Sequence, residues 1–353
     1  MLNIKGGKIF YWDATGGFAG RARPLDAYST NIPILANQVL VSDRDRHIIA
    51  FGCDTEANPG VQDPLAIRFS SQESLTDWAT TTANTAGELR LGSGSEIVAA
   101  VETRQQILVY TDESLYAMQF LGPPFTFGVN LVSENITTMG PLSAVAVEDN
   151  VFWMGLKEFY SYGGTVQRLP CTVRDFVFDD FNLLQREKVV AATNTAFSEI
   201  WWFYPSVNSD NIDKYVVYNY NMDIWYYGTL NRTAWIDRGI DDFPVAAGTD
   251  GKLYFHEYEI DDQSGSSPAA VESFIQSAPI DLGDGETFSY VRKLIPDVTF
   301  RTSTNPTPQV DFTVDAFNYN GGLQVSTDVA NIVKSSSVPI EQYTEKVDLR
   351  VRG

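Results

Sequence analysis

His47 and His256 are the whole imidazole complement of this 353-residue chain, which limits the chemistry available to it. A histidine-built zinc site or a Ser-His-Asp triad needs imidazoles with partners gathered around them. Two isolated histidines therefore read as surface or strand-filling side chains. No Walker-type phosphate loop and no nucleophile elbow occurs in the sequence. Acidic pairs are plentiful, as in Asp179-Asp180, Asp241-Asp242 and Asp261-Asp262, and a glycosidase needs only two carboxylates about 5–10 Å apart. With 45 acidic residues, however, adjacent pairs arise by chance, and these read as solvated loop residues.

Oxygen ligands for calcium are present in Asn208–Asp213 (NSDNID) and Asp281–Glu286 (DLGDGE). Neither fits the EF-hand loop, and ordinary turn chemistry explains both. The aromatic runs Trp201-Trp202-Phe203-Tyr204 and Trp225-Tyr226-Tyr227 could offer stacking platforms for sugars. Successive strand residues point to opposite faces, so only alternate members can share one surface, and sheet packing is the expected use. No catalytic, cofactor-binding or metal residue is assigned, no cofactor is expected, and the chain reads as a non-enzyme.

The balance of 45 acidic against 25 basic residues gives a formal charge of −20, the wrong sign for gripping phosphate by counterion release. Such a charge suits a surface that nucleic acid slides past, because like charges repel within a Debye length of roughly 8 Å. Cys53 and Cys171 are the only cysteines and have no metal-type spacing. They read as reduced thiols in a protein folded in a reducing cytoplasm. The N-terminus MLNIKGGKIFYWD lacks an apolar signal region, and no apolar run approaches about 18 residues. A secreted or membrane-spanning chain is not expected, and the sequons at Asn135 and Asn231 carry little weight.

The elements that would position any site are strands. Phe, Tyr and Trp number 21, 17 and 7, Val, Ile and Thr are frequent, and sustained helical spacing is absent. A loose repeat organises them. IVAAV, ILVY and LYAMQF lie in the first unit (Ile97 to Phe120). LSAVAV, VFWM and FYSY form the second (Leu142 to Tyr162). VVAATNT, EIWWFY and YVVYNYNMDIWYY form the third, from Val189, and VAAGTDGKLYFHEY the fourth, from Val245. The small-residue centres Ala99, Val145, Ala191 and Ala246 are spaced about 46, 46 and 55 residues apart, near the roughly 40–50 of four-stranded propeller blades. A weaker unit centres on Ala50. Crowding at a central axis favours small residues on inner strands, while diverging outer strands need aromatic bulk. The expected fold is an all-β propeller of about five or six blades with an additional sandwich-like β-module. Ala99, Val145, Ala191 and Ala246 should line a common axis, whereas an ordinary sandwich would scatter them over two sheets.

The blade pattern stops near Glu259, and DDQSGSSPAA reads as a linker. Longer strands follow in SYVRKLIPDVTF, QVDFTVDAFNY and EKVDLRVRG. The expected organisation is therefore an N-terminal strand and extended segment over 1–37, a candidate part of the second module, then a propeller over 38–260 and a C-terminal β-module over 261–353.

The stretch from Leu65 to Phe181, from LAIRFSSQESLTDW through GELRLGSGSEIVAAVETRQQILVYTDESLYAMQF and GPPFTFGV to NITTMGPLSAVAVEDNVFWMGLKEFYSYGGTVQRLPCTVRDFVFDDFN, resembles the propeller-containing tail tubular, nozzle or DNA-stabilisation proteins of short-tailed phages. VRKLIPDVTF and KVDLRVRG fit the same type, so the resemblance covers about three quarters of the chain. It rests on an extended pattern and not on a compact motif.

This resemblance implies a structural virion protein of the tail, assembled in the host cytoplasm as a homohexamer around a channel. Its implied neighbours are the adaptor ring of the head-to-tail connector and tail fibre or tail-tip proteins. It would retain the packaged genome and conduct DNA during ejection without sequence-specific binding. No catalytic residues come with the family. The competing expectation is a glycan-binding or glycan-cleaving propeller, such as a tail-associated depolymerase or lectin, with aromatic and carboxylate side chains gathered at one mouth. A cellular interaction scaffold is a third reading.

Overall fold

The computed structural model describes residues 1–258, 261–262, 267, 269–271, 273–277, 290–300, 306–317, 332–341, 344 and 346–352. It divides into two units, Met1–Ala270 and Val271–Gly353.

In the first unit, short runs of alternating apolar residues closed by Gly, Asn and Asp turns fold into consecutive antiparallel meanders. Blade 1 is β1 (Leu2–Asn3), β2 (Ile9–Tyr11) and β3 (Arg23–Pro24). Blade 2 is β4 (Gln38–Val41), β5 (Ile48–Phe51), β6 (Ala66–Phe69) and β7 (Gly87–Arg90). Blade 3 is β8 (Ile97–Glu102), β9 (Ile107–Thr111), β10 (Ser114–Gly122) and β11 (Thr126–Glu134). Blade 4 is β12 (Ala144–Val147), β13 (Asn150–Met154), β14 (Phe159–Tyr162) and β15 (Val166–Leu169). A short helix, α1 (Arg174–Asp179), leads to blade 5, made of β16 (Val190–Asn194), β17 (Glu199–Tyr204), β18 (Lys214–Asn219) and β19 (Ile224–Thr229). Blade 6 is β20 (Ala234–Ile236), β21 (Val245–Ala247) and β22 (Leu253–Phe255). The first strands of the blades neighbour one another in series, β1 to β4, then β8, β12, β16 and β20. This is a six-bladed β-propeller, and the all-β expectation holds.

Ala99, Val145 and Ala191 lie on the inner strands β8, β12 and β16, as expected. Ala246 does not. It lies on β21, the middle strand of blade 6, and Trp235 occupies the inner strand beside it. Ala50 is likewise on β5, second in its blade. Both alanines are fully buried, so small residues mark crowding on second strands as well as at the axis. The N-terminal 37 residues are also corrected. They belong to the propeller unit, where Ile9, Leu25, Ile32 and Ala36 pack with Ile48, Ala50 and Trp78 of blade 2. Strands of two or three residues left no readable repeat there.

Each seam between consecutive blades holds its own apolar cluster, because the two faces of a strand serve two neighbours. Blades 1 and 2 share the cluster around Ile9 and Trp78, blades 2 and 3 that around Ile67 and Val109, and blades 3 and 4 that around Tyr110 and Trp153. Blades 4 and 5 meet around Phe159 and Trp202, and blades 5 and 6 around Phe203 and Ala192. Each fully buried large side chain contributes about 1.5–3 kcal/mol.

After blade 6, β23 (Asp261–Asp262) pairs with β24 (Ala269–Ala270), still in the first unit. The division thus falls after Ala270, later than the expected boundary at 260. Linker residues 263–266 and 268 lie outside the described residues. The second unit pairs β25 (Tyr290–Leu294) with β28 (Val347–Arg352), and β26 (Gln309–Phe317) with β27 (Ile332–Glu341). Its strands match the run of longer strands read from the sequence. No helix among the described residues is long and apolar enough to cross a membrane.

Candidate functional site

The most chemically organised surface lies where blade 5 meets blade 6. On blade 5, Asn194 stands opposite Glu199, and two residues further along Trp201 stands opposite Ala192 and Val217, with Tyr226 beyond. Directly opposed residues share a face, so Asn194, Glu199, Trp201 and Tyr226 all look toward blade 6. Trp202, Tyr204 and Trp225 look the other way and are buried. Trp202 and Trp225 enter the cluster shared with blade 4.

Both oxygens of Glu199 are engaged: Trp201 Nε1 donates to Oε2 at 2.9 Å, and the Tyr226 hydroxyl donates to Oε1. Partial burial, and next the Glu199 carboxylate, push the Tyr226 phenol upward. Glu257, following β22, completes the group. Asn194 is fully buried, and its Nδ2 donates to Glu257 Oε1 at 3.4 Å. Desolvation of the Glu257 carboxyl, then the like charge of Glu199, raise its pKa. One carboxylate is held by two donors while its neighbour is biased toward the protonated form, an asymmetry that acid–base chemistry uses.

The rings are less available. Trp201 stacks on Phe203 and Trp235, each at 5.8 Å, and tilts against Tyr215 at 4.7 Å. Trp235 in turn donates from Nε1 to the Thr193 carbonyl at 2.8 Å. Trp201 therefore serves the seam, as alternation within the strand led one to expect.

The other singled-out residues are dispersed. His47 is buried, its Nδ1 lies 2.6 Å from the Ser70 carbonyl, and burial lowers its pKa. His256 accepts at Nε2 from Arg232 Nε at 2.9 Å and packs on Trp235 at 4.6 Å. Burial, then the Arg232 charge, bring its pKa down to about 4. Neither is the surface residue of the first alternative; both fill space between strands. Asp180 pairs with Lys214 at 2.7 Å, while Asp179 and the Asp241-Asp242 pair are exposed. Asp261-Asp262 forms β23.

In Asn208–Asp213, Asp213 accepts from the Ser206 backbone N–H at 2.7 Å and from its hydroxyl at 2.6 Å, the turn chemistry expected. Asp281–Glu286 lies outside the described residues. Both cysteines are free, and burial pushes the Cys53 thiol up to about 12 and that of Cys171 to about 11. Among the described residues no group of three or more His, Cys, Asp or Glu side chains is arranged to hold a metal ion.

A cavity of about 10 Å³ between blades 2 and 3, lined by Arg44, Glu102, Gln106, Phe120 and Phe127, is at the lower limit for one water. An open depression of about 270 Å³ runs along Arg238, Gly239, Asp241 and Asp242. The Glu199–Glu257 approach had no sequence signal, since it depends on which blades are adjacent.

No family model matches the chain, and no curated protein matches it. Among solved structures, it is similar to the extracellular domain of a one component system from B. thetaiotaomicron, at 8% identity over 68% of this chain and 28% of that one, with a TM-score of 0.39. It is also similar to the AfRom2 CNH domain, at 11% identity over 70% of this chain and 77% of that one, with a TM-score of 0.38. The tricorn protease matches at 10% identity over 66% of this chain and 26% of that one, with a TM-score of 0.25. The chain thus spans little more than a quarter of the first of these. Likeness at this level carries no functional argument.

Proposed function

We propose that this chain is a non-enzymatic structural subunit of a short-tailed phage tail, contributing to an oligomeric channel that retains the packaged genome and conducts it during ejection. The observation that carries the reading is the six-bladed propeller, the fold implied by the resemblance of Leu65 to Phe181, followed by a separate C-terminal β-unit. The formal charge of −20 supports it, because duplex DNA carries a phosphate charge every roughly 1.7 Å and an acidic wall opposes its adhesion. Trp201, Trp202, Phe203 and Trp225 of blade 5 are used in seams between blades, which is how an architectural protein uses them.

Electron microscopy of the purified chain and of the particle that encodes it tests this. Ring-shaped oligomers enclosing a channel, with matching density on the tail side of the portal, are the expected result. Particles whose complete tail density leaves no place for this chain would overturn the proposal.

One observation favours the glycan-directed alternative: the unequal carboxylates Glu199 and Glu257 beside Tyr226. That reading requires release of reducing ends from host surface polysaccharide, with a loss of about 10²-fold or more in Glu199→Gln or Glu257→Gln. Turnover with that dependence would displace the structural reading, and its absence at high protein concentration would remove the alternative.

A further inference from the structure

Six blades arranged around an axis make six seams, yet apolar clusters fill the five between consecutive blades and none joins blade 6 to blade 1 among the described residues. The outer face of blade 6 shows why this matters. Trp235, Ala246 and Tyr254 point to blade 5, so their neighbours Ala234, Ile236, Val245, Ala247, Leu253 and Phe255 share the opposite face. Every residue of that face is apolar, and Ile236, Leu253 and Phe255 are 73%, 75% and 60% exposed. Uncovered apolar sheet faces on soluble proteins mark contact sites. The β20–β21 turn that follows Ile236 at the edge of this face carries exposed Asp241 and Asp242, net negative even with Arg238.

Blade 3 presents the complementary shape. β10 and β11 have nine residues each, but β9 follows β10 only as far as Met118. The pairs from Gln119–Gly128 to Gly122–Thr126 therefore extend past the sheet as a free hairpin. Turns such as Glu148-Asp149 between β12 and β13 end in polar residues. This one ends in Leu121-Gly122-Pro123-Pro124-Phe125, with Leu121 59% and Phe125 75% exposed. At its base Arg44 and Arg104 are exposed. Arg44 Nη1 donates to the Arg104 carbonyl at 3.1 Å, and both residues border the cavity that Phe120 lines.

We infer that the β10–β11 hairpin tip of one copy of this chain docks on the outer face of blade 6 of a second copy, with Arg44 and Arg104 facing the acidic β20–β21 turn. The apolar tip matches the apolar face, and the opposite charges beside them fix the register. Because the two patches are different surfaces, the contact is head-to-tail and propagates into a ring or an open chain. The inference deepens the channel reading by assigning its subunit contact.

The test uses the full chain and two solvent-exposed double variants, Leu121→Asp/Phe125→Asp at the tip and Ile236→Asp/Phe255→Asp on the face, with circular dichroism to verify folding. By sedimentation velocity, the wild type should form higher oligomers as concentration rises. Each variant alone should lose self-association by about tenfold or more in Kd. A mixture of the two should form a dimer that grows no further, because only one productive interface remains. Variants that associate like the wild type, or a mixture that stays monomeric, would overturn the inference. A face variant that loses stability without any change in association would do so too, since it would show blade 1 of the same chain covering the face. Tail density built on a different subunit contact would leave the proposed function standing while refuting this one.

Discussion

Replacing Trp202 by alanine should destabilise the propeller unit by about 3–5 kcal/mol, the range for a fully buried aromatic truncated to alanine. Trp202 is among the largest fully buried side chains. It packs on Phe159 at 4.9 Å and Trp225 at 6.0 Å, and its Nε1 crosses the seam to donate to the Ser143 carbonyl at 3.1 Å. Burial of some 150–250 Å² at about 25 cal/mol/Å² gives roughly 4–6 kcal/mol before the compactness of the unfolded chain is allowed for. The adjacent Trp201 is the internal control. It is only partly buried, so Trp201→Ala should cost about half as much. Urea unfolding followed by far-ultraviolet circular dichroism separates the two without relying on the fluorescence of the deleted ring. Equal costs, or a Trp202→Ala cost below about 1 kcal/mol, would refute the assignment of the two strand faces to different seams.

Three other outcomes are expected. His256 has a lowered pKa, so folding excludes its proton: the stability it contributes is complete above 6.5 and declines as pH falls through the window down to about 4. His256→Gln should flatten the pH dependence of the urea midpoint in that window, and an unchanged slope would contradict it. Glu257 has a raised pKa, so its ionisation opposes folding, and stability falls as pH rises from 4.5 through the raised value. Glu257→Gln should therefore be neutral or stabilising at pH 7 by thermal unfolding, and a marked loss would show that its charge has a favourable partner. Asp54→Ala should cost about 2 kcal/mol or more at neutral pH, because the buried Asp54 accepts from the backbone N–H groups of Ile34, Leu35 and Gly60 at 2.8–2.9 Å. Wild-type stability in the same denaturant series would refute that.

The propeller was legible where a blade spends residues generously. Ala99, Val145 and Ala191 fall on inner strands because blades 3, 4 and 5 have long enough strands for the small-then-aromatic order to repeat. Blade 1 escaped because strands of two or three residues carry no period. Ala246 misled because blade 6 places Trp235 at the axis, so the position expected to hold a small residue is one strand further out. Period-two alternation correctly divided Trp201 from Trp202 and Tyr226 from Trp225. The meeting of Glu199 with Glu257 was not legible, since the residues are joined by the angular placement of two blades and by no local pattern. Nor was the reach of the β10–β11 hairpin, which depends on where β9 stops pairing.

The six blades are each built from strands consecutive in the chain, and among the described residues no sheet combines a strand of blade 1 with one from blade 6. Among the described residues, strand pairing within the blades therefore needs no late search in which the beginning of the chain finds a partner some two hundred and more positions downstream. For strand pairing within the blades, loop-closure entropy enters over the span of one meander at a time, which keeps those pairings local in sequence. Such a chain can lay down blades in the order a ribosome delivers them, each new meander packing on the aromatic face its predecessor leaves open. The last face in that series is the one on which the proposed contact with a second copy would add a further layer.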